Sequence, residues 1–362
     1  MEHLEVQKKH GGPGAYDVLR CDLIQKRGAD KTFKVWGQDY HLNRLEMSYR
    51  ELVKMLLTPK GNEKRNANEN AMQNTDSFDD RYLEIANKQS DAIITSLLSK
   101  MVEQSDLGHS TEAHEHDLVC EIIRVTLLWT PSFDPADKDP SSGSQNIIVR
   151  GHASTSGQIW VPDQIPTAIV ATLALPNHSP GTTSMEEFPG RHISPHAKIS
   201  SWSRNRRPLE KKEGFMPDGV GEVLLLQGTK SELTLTFEIL EGMTSNFFAV
   251  YRDGTIRTAQ YGVLFGYIRH LVLECASSCG LIVDNRPVRL EDGANGLWAE
   301  TFITSSSRLI YPIEKILIPD YEEVREEQEG LNWKPYWQVE SKDTQDYKWH
   351  ALLREILKRG GY

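Results

Sequence analysis

Four strand-like segments follow one another between residues 221 and 259, GEVLLLQ, ELTLTFEILEG, SNFFAVYRDG and TIRTA, and this run limits the fold more than any other feature. Apolar, β-branched and aromatic residues fill each segment, and only short polar stretches part them. The last two are joined by Asp253-Gly254, a hairpin signal. Period changes at GVLFGYIRHLVLECASSCG, which reads as a helix closed by Gly280. WAETFITSSSRLIYPI then reads as a strand, a run of hydroxyl residues and a strand stopped by proline, and YKWHALLREILKR as a closing helix. Upstream, TAIVATLAL is strand-like, and SSWSRNRRPLEKK reads as a helix broken or bent at Pro208.

The N-terminal half is organised differently. GAYDVLRCDLI reads as a strand, and Leu42, Leu45, Leu52, Val53 and Leu56 recur at helical spacing, so the strand feeds an amphipathic helix beginning near His41. Residues 58 to 79 are polar and rich in Asn, and read as a mobile insertion. A second helix carries Tyr82, Ile85, Ile93, Ile94, Leu97, Leu98 and Met101 on its apolar positions. EIIRVTLLWTP and NIIVRGHAS read as paired strands around the loop DPADKDPSSGS. VPDQIP, with Pro162 and Pro166, reads as an interdomain connection, which gives a domain at 1–161 and another at 162–362. No internal repeat is visible.

Composition narrows the function. A length of 362 residues suffices for two packed domains. With 41 basic and 51 acidic residues the net charge is -10, which argues against a nucleic-acid binder. The opening MEHLEVQKKHGGPG lacks the apolar stretch of a secretory signal, and no segment approaches the roughly 20 apolar residues of a membrane span, so a soluble, intracellular, cytoplasmic protein is expected. Cys21, Cys120, Cys275 and Cys279 are too scattered for a disulfide scaffold and read as reduced thiols. His109, His114 and His116 stand beside acids in HSTEAHEHD, a polar stretch that reads as a solvated turn, and no metal site is expected.

One glutamate stands out in this pattern. Glu241 and Gly242 precede the polar Thr244, Ser245 and Asn246, and only then does the chain become the apolar Phe247, Phe248, Ala249 and Val250. Tyr16 in GAYDVLR, Arg44 in HLNRL, Lys198 in PHAKISSW, Glu241, then GVLFGYIR and TSSSRLIYPI follow in that order. Taken singly, these are a surface lysine, a helix-face charge and a turn. Their order and spelling resemble the class IV, fold-type IV pyridoxal-phosphate enzymes, the family of branched-chain and D-amino-acid aminotransferases and of aminodeoxychorismate lyase. The resemblance runs over roughly residues 14 to 320 and is strongest from Glu241-Gly242 through Asn246-Phe247-Phe248, Asp253-Gly254, Thr258 and Gly262-Val263-Leu264 to Gly266-Tyr267-Ile268-Arg269.

The resemblance implies an α/β fold of two domains, a small N-terminal one and a larger one built on a barrel-like sheet, and a homodimer. It implies an aminotransferase moving an amino group between an amino acid and a 2-oxo acid, with pyridoxal 5'-phosphate held as a Schiff base on Lys198. In that scheme Lys198 is the catalytic amine, and Glu241 keeps the pyridine nitrogen protonated. Arg44, the backbone N–H groups of Tyr267 and Ile268, and Ser306 hold the phosphate. Tyr16 faces the cofactor and substrate side. Gly266-Tyr267-Ile268-Arg269 lacks the threonine that many relatives place there, and Trp202 and Ser203 replace the Asn-Tyr that branched-chain enzymes carry after the lysine. The substrate carboxylate falls to Arg124 or Arg150. A class IV lyase and a cofactor-binding protein with little catalysis are the alternatives.

Overall fold

The structure, a computed structural model, describes residues 14–26, 30–57, 80–105, 118–132, 146–160, 166, 168–174, 194–206, 219–230, 235–319, 333–340 and 346–362. The Asn-rich stretch 58–79, His109, His114, His116, the loop 134–144, Pro162 and Pro208 lie outside the described residues. The chain divides into two compact units, one of Met1–Pro162 with Ser184–Arg204, the other of Asp163–Thr183 with Asn205–Tyr362. The segment around Lys198, expected with the second domain, thus clusters with the first.

In the first unit β1 (Ala15–Lys26), β2 (Thr32–Val35), β3 (Leu118–Ser132) and β4 (Asn146–Trp160) form an antiparallel sheet in the order β2-β1-β3-β4. Side chains alternate between faces along a strand. Ala15, Leu19, Cys21 and Leu23 of β1 therefore share a face with Trp129, Leu127, Val125 and Ile123 of β3, and that face is buried. Helices α1 (Gln38–Leu57) and α2 (Asp80–Gln104) cover it with Leu42, Leu45, Tyr49 and Val53 from the first and Leu83, Ala86, Ile94 and Leu98 from the second. Burying a side chain of this size stabilises by about 1.5–3 kcal/mol. The Trp129 indole keeps a polar partner inside, donating to Ser90 Oγ at 2.9 Å. Helix α1 starts before the expected His41 because the His41 N–H already donates to Gly37 O at 3.0 Å, and Asp39 in the first turn suits the helix dipole.

The second unit is built on a nine-stranded sheet of β5 (Ile169–Ala174), β6 (Val220–Lys230), β7 (Leu235–Gly242), β8 (Asn246–Tyr251), β9 (Thr255–Arg257), β10 (Ile282–Val283), β11 (Trp298–Ser305), β12 (Leu309–Pro319) and β13 (Trp333–Gln338). Six strands close into a ring in the order β8-β11-β12-β5-β6-β7, with β7 returning to β8 through the pair Glu241↔Asn246. Strand β5 runs parallel to both neighbours, and the other joints of the ring are antiparallel. All of β8 is buried, so it reads as a continuous apolar run. Phe247 and Ala249 join Leu224, Leu226, Ile239, Ile303 and Ile313 in one cluster, while Phe248 stacks on its cross-strand partner Phe302 at 5.1 Å.

A short helix α3 (Trp202–Asn205) follows the lysine segment, and the second unit carries α4 (Tyr267–Cys275), α5 (Leu290–Ala294) and α6 (Lys348–Arg359). The buried Glu300 carboxylate caps α6 by accepting the Lys348 N–H at 3.0 Å and the Trp349 N–H at 3.2 Å. Helix α4 opens at Tyr267, directly after the still-extended Gly266, so of the stretch GVLFGYIR only the end is helical. One expectation changes. Strand β12 does not stop at Pro312 but passes through it, opposite Phe302, and ends at Pro319; β5 joins its other side only from Ile313, past the residue that lacks an N–H. Among the described residues no helix is long and apolar enough to cross a membrane.

Candidate functional site

In the first unit the start of β1 and the lysine segment are stitched together by backbone. Tyr16 N–H donates to Lys198 O at 2.9 Å, Ser200 N–H to Gly14 O at 2.9 Å, and Gly14 N–H to Ser200 Oγ at 3.0 Å. Ala197 and Ile199, on either side of the lysine, pack on Leu52, Met55 and Leu56 of α1. The Lys198 N–H donates to Ser48 Oγ at 2.9 Å, and that hydroxyl donates to Arg44 O at 2.8 Å. With the backbone pinned on three sides, the half-buried Lys198 holds Nζ 5.3 Å from the centre of the Tyr16 ring. Trp202 and Ser203 follow in a tight turn, with Ser203 Oγ donating to Ser200 O at 2.7 Å.

Beside this segment lies a buried charged cluster. Arg44 grips Asp17 with two bonds, Nε to Oδ2 at 2.8 Å and Nη2 to Oδ1 at 2.6 Å, and His41 Nδ1 stands 3.2 Å from Asp17 Oδ1. Burial alone would raise the Asp17 pKa, but Arg44 and His41 outweigh it and hold the carboxyl well below the usual carboxylate range. Burial lowers the His41 pKa, the charges of Arg44 and Lys198 push it the same way, and Asp17 does not compensate. Arg44, expected on the phosphate, thus has Asp17 as a partner; a guanidinium has enough N–H donors to serve a carboxylate and a second anion.

The two arginines proposed for the substrate stand on the sheet face turned away from α1 and α2. Tyr16 is opposite Leu128, and Leu128 is opposite Arg150, so these three share one cross-strand row. Arg150 is steadied by Thr130, to whose Oγ1 its Nη1 donates at 3.1 Å. Arg124 is exposed, further along the same face, between Arg20 and Ser154.

In the second unit the remaining residues gather at one end of the ring. Glu241 closes β7 and Asn246 opens β8, with a turn between them in which Gly242 N–H donates to Ser245 O at 2.7 Å. The buried Glu241 accepts, at Oε2, the Leu264 N–H at 3.1 Å and the Asn246 amide at 3.2 Å. The same amide nitrogen donates to Leu264 O at 2.6 Å, which locks the segment before α4 to the carboxylate. Gly266 lies so close that a Cβ there would run into Asn246 Oδ1.

Gly266 is the N-cap of α4 and brings no side chain of its own, and the first-turn N–H groups of Tyr267 and Ile268 stand at the positive end of a helix dipole. The Ile268 side chain is buried, so its backbone is what it can offer a ligand. Asn246 pairs with Thr304, which brings the Ser305–Arg308 turn and Ser306 to the same end; Ser305 Oγ accepts the Arg308 N–H at 3.2 Å. Arg269 ties down the segment before the helix, donating from Nη2 to Ala259 O at 2.9 Å. Among the described residues no group of His, Cys, Asp and Glu is arranged to hold a metal ion. Asp17, His41, Ser48 and Ser200 are parts of the site that pattern reading passed over.

No protein-family model and no curated protein sequence matches the chain. Solved structures do. A fold IV transaminase from Curtobacterium pusillum superposes with a TM-score of 0.52 at 15% identity, over 96% of this chain and 88% of that one. A branched-chain aminotransferase from Thermoproteus uzoniensis, with norvaline, gives 0.51 at 15% identity, over 98% and 88% of the two chains. A hypothetical aminotransferase from Mycobacterium tuberculosis, in its PLP-bound form, gives 0.50 at 14% identity, over 98% and 92%. A mixed α/β chain with a closed six-strand ring, aligned along nearly its whole length with these enzymes, has the fold of the fold IV transaminases.

Proposed function

We propose that the protein is a pyridoxal-phosphate-dependent aminotransferase that moves an amino group between an amino acid and a 2-oxo acid. The observation that carries this reading is the ring end of the second unit, where a buried carboxylate fixed by two donors, a helix N-terminus with glycine at its N-cap and a serine turn lie together. These groups fit a protonated ring nitrogen and a phosphate. The fold shared with enzymes that were solved with pyridoxal phosphate or norvaline points the same way.

Pyridoxal phosphate, when bound, supplies an electrophilic carbonyl and an electron-withdrawing ring. Lys198 Nζ would be the amine that holds it and the base that moves the proton of the substrate α-carbon, work that needs the neutral amine. Glu241 Oε atoms keep the ring nitrogen protonated, and the Leu264 N–H and Asn246 amide keep the carboxylate aimed. In the second unit the backbone of Tyr267 and Ile268 and the Ser306 hydroxyl would take the phosphate; in the first, Asp17 holds Arg44, a guanidinium with donors left for an anion. Tyr16 lies against Lys198, and Arg150, in its row, is the better placed of the two arginines for a substrate carboxylate. The same reading carries two protomers per active assembly, which sedimentation would measure.

The test is the absorbance of the protein with the cofactor. A band trapped by borohydride and lost in Lys198→Ala is expected, and a normal trapped band in that variant rejects the assignment. With Glu241→Gln, binding persists and proton transfer slows by about 10²–10⁴-fold; unchanged turnover rejects its role. Pyridoxamine phosphate formed from an amino donor in a single turnover separates transfer from a lyase reaction.

A further inference from the structure

One buried carboxylate of the second unit has no part in the scheme above. Glu222, near the start of β6, is almost wholly buried, yet among the described residues its cationic neighbour stands at a distance: Arg308 Nη1 is 4.0 Å from Oε2. Its other partners are neutral. Oε1 accepts the Val223 N–H at 3.1 Å and, at 3.2 Å, shares the Met243 N–H with Val223 O at 3.1 Å, and Oε2 accepts the hydroxyls of Ser245 at 2.8 Å and Thr244 at 3.4 Å. Three of these donors, from Met243, Thr244 and Ser245, belong to the turn that joins Glu241 to Asn246. At Gly242, in that turn, a Cβ would run into Ser245 Oγ and would lie 2.7 Å from the Glu222 carboxyl carbon. Arg308 belongs to the serine turn, where its N–H is held by Ser305 Oγ.

We propose that Glu222 is a positioning residue that couples the Glu241 turn to the Ser305–Arg308 turn, so that one buried carboxylate sets the ring-nitrogen partner and the phosphate donors together. The assignment of those two turns to a cofactor rests on the function proposed above; the coupling itself does not. Burial raises the Glu222 pKa, and Arg308 and the donors offset only part of that rise, in keeping with a group kept for the bonds it makes. A carboxylate can accept from every one of these donors, whereas an amide must turn an NH₂ toward some of them.

Two readouts test this, each against Glu300→Gln, which removes a buried carboxylate that also accepts two backbone N–H groups in the same unit, at α6. In protein free of cofactor, Glu222→Gln is expected to speed hydrogen exchange at the Met243, Leu264 and Arg308 amides by about tenfold, leaving Lys348 and Trp349 alone, with the reverse pattern in Glu300→Gln. Faster exchange at Met243 alone, with Leu264 and Arg308 unmoved, overturns the coupling. With pyridoxal phosphate, Glu222→Gln is expected to weaken binding and to shift the pH at which the bound cofactor's absorbance titrates, while Glu300→Gln does neither. Equal weakening in both variants reduces Glu222 to a structural residue. If wild-type protein yields no borohydride-trapped band, the cofactor reading falls and the exchange result alone decides the coupling. Should Glu222→Gln not fold, Arg308→Met cuts the link from the other side: loosened exchange at Met243 upholds the proposal, and unchanged exchange there overturns it.

Discussion

Two carboxylates, one in each unit, are both almost wholly buried and solve the cost of burial in opposite ways. Asp17 is met by a two-bond guanidinium and by His41, and its pKa is lowered. Glu222 is met by two backbone N–H groups and two hydroxyls, with the Arg308 guanidinium 4.0 Å away, and its pKa is raised. A strong countercharge favours ionisation more than desolvation opposes it; dipoles and hydroxyls at similar distances do not. Burial alone therefore does not tell the state of an acid, and the partner does.

The comparison breaks most readily at Asp17. Asp17→Asn removes one side of a buried ion pair and is expected to cost about 3–5 kcal/mol in urea denaturation; a loss below about 1 kcal/mol would rank the pair with exposed ones. Gly242→Ala crowds Glu222 and Ser245 and is expected to cost about 1–3 kcal/mol, read as a lower unfolding midpoint, and an unchanged midpoint would deny the tight contact. Ser48→Ala strips the Lys198 N–H of its acceptor at a cost of about 1–2 kcal/mol, with faster exchange of that amide as its signature.

The smallest effect carries the sign that separates the two acids. A lowered folded pKa means that Asp17 stabilises above its unfolded value, about 4, and that this contribution drains as pH falls below it. A raised folded pKa means that the Glu222 contribution is full below about 4.5 and is lost as pH rises through the folded value. Asp17→Asn should flatten the acid limb of the stability curve, and Glu222→Gln should remove a fall on its alkaline side. Variants that bend the curve in the same direction would void the contrast.

Much of this was legible from residue pattern. The strand run from 221 to 259 became β6 to β9, the Asp253-Gly254 hairpin lies between β8 and β9, and the closing helix became α6. Asp17 had a signal that went unread: Ala15, Asp17, Leu19, Cys21 and Leu23 alternate onto one face, and an acid among apolar residues at period two must meet a partner inside. That the partner is Arg44 depends on how α1 docks on the sheet, which no local pattern encodes. Glu222 gave less away, since all its donors but the Val223 N–H come from the turn after β7, reached across a joint whose register slips between Leu224 and Leu226. Pro312 misled because a proline stops a strand only where the missing N–H is needed.

The ring of the second unit is joined along most of its joints by several residue pairs, but β7 meets β8 through the single pair Glu241↔Asn246. The narrowest seam of the barrel is therefore also the place where a ligand would be gripped. Completing the last rung and aiming the carboxylate become one event, and a molecule bound across Glu241, Asn246 and the start of α4 would act as a rivet on that seam, its free energy of binding adding directly to the closure of the barrel.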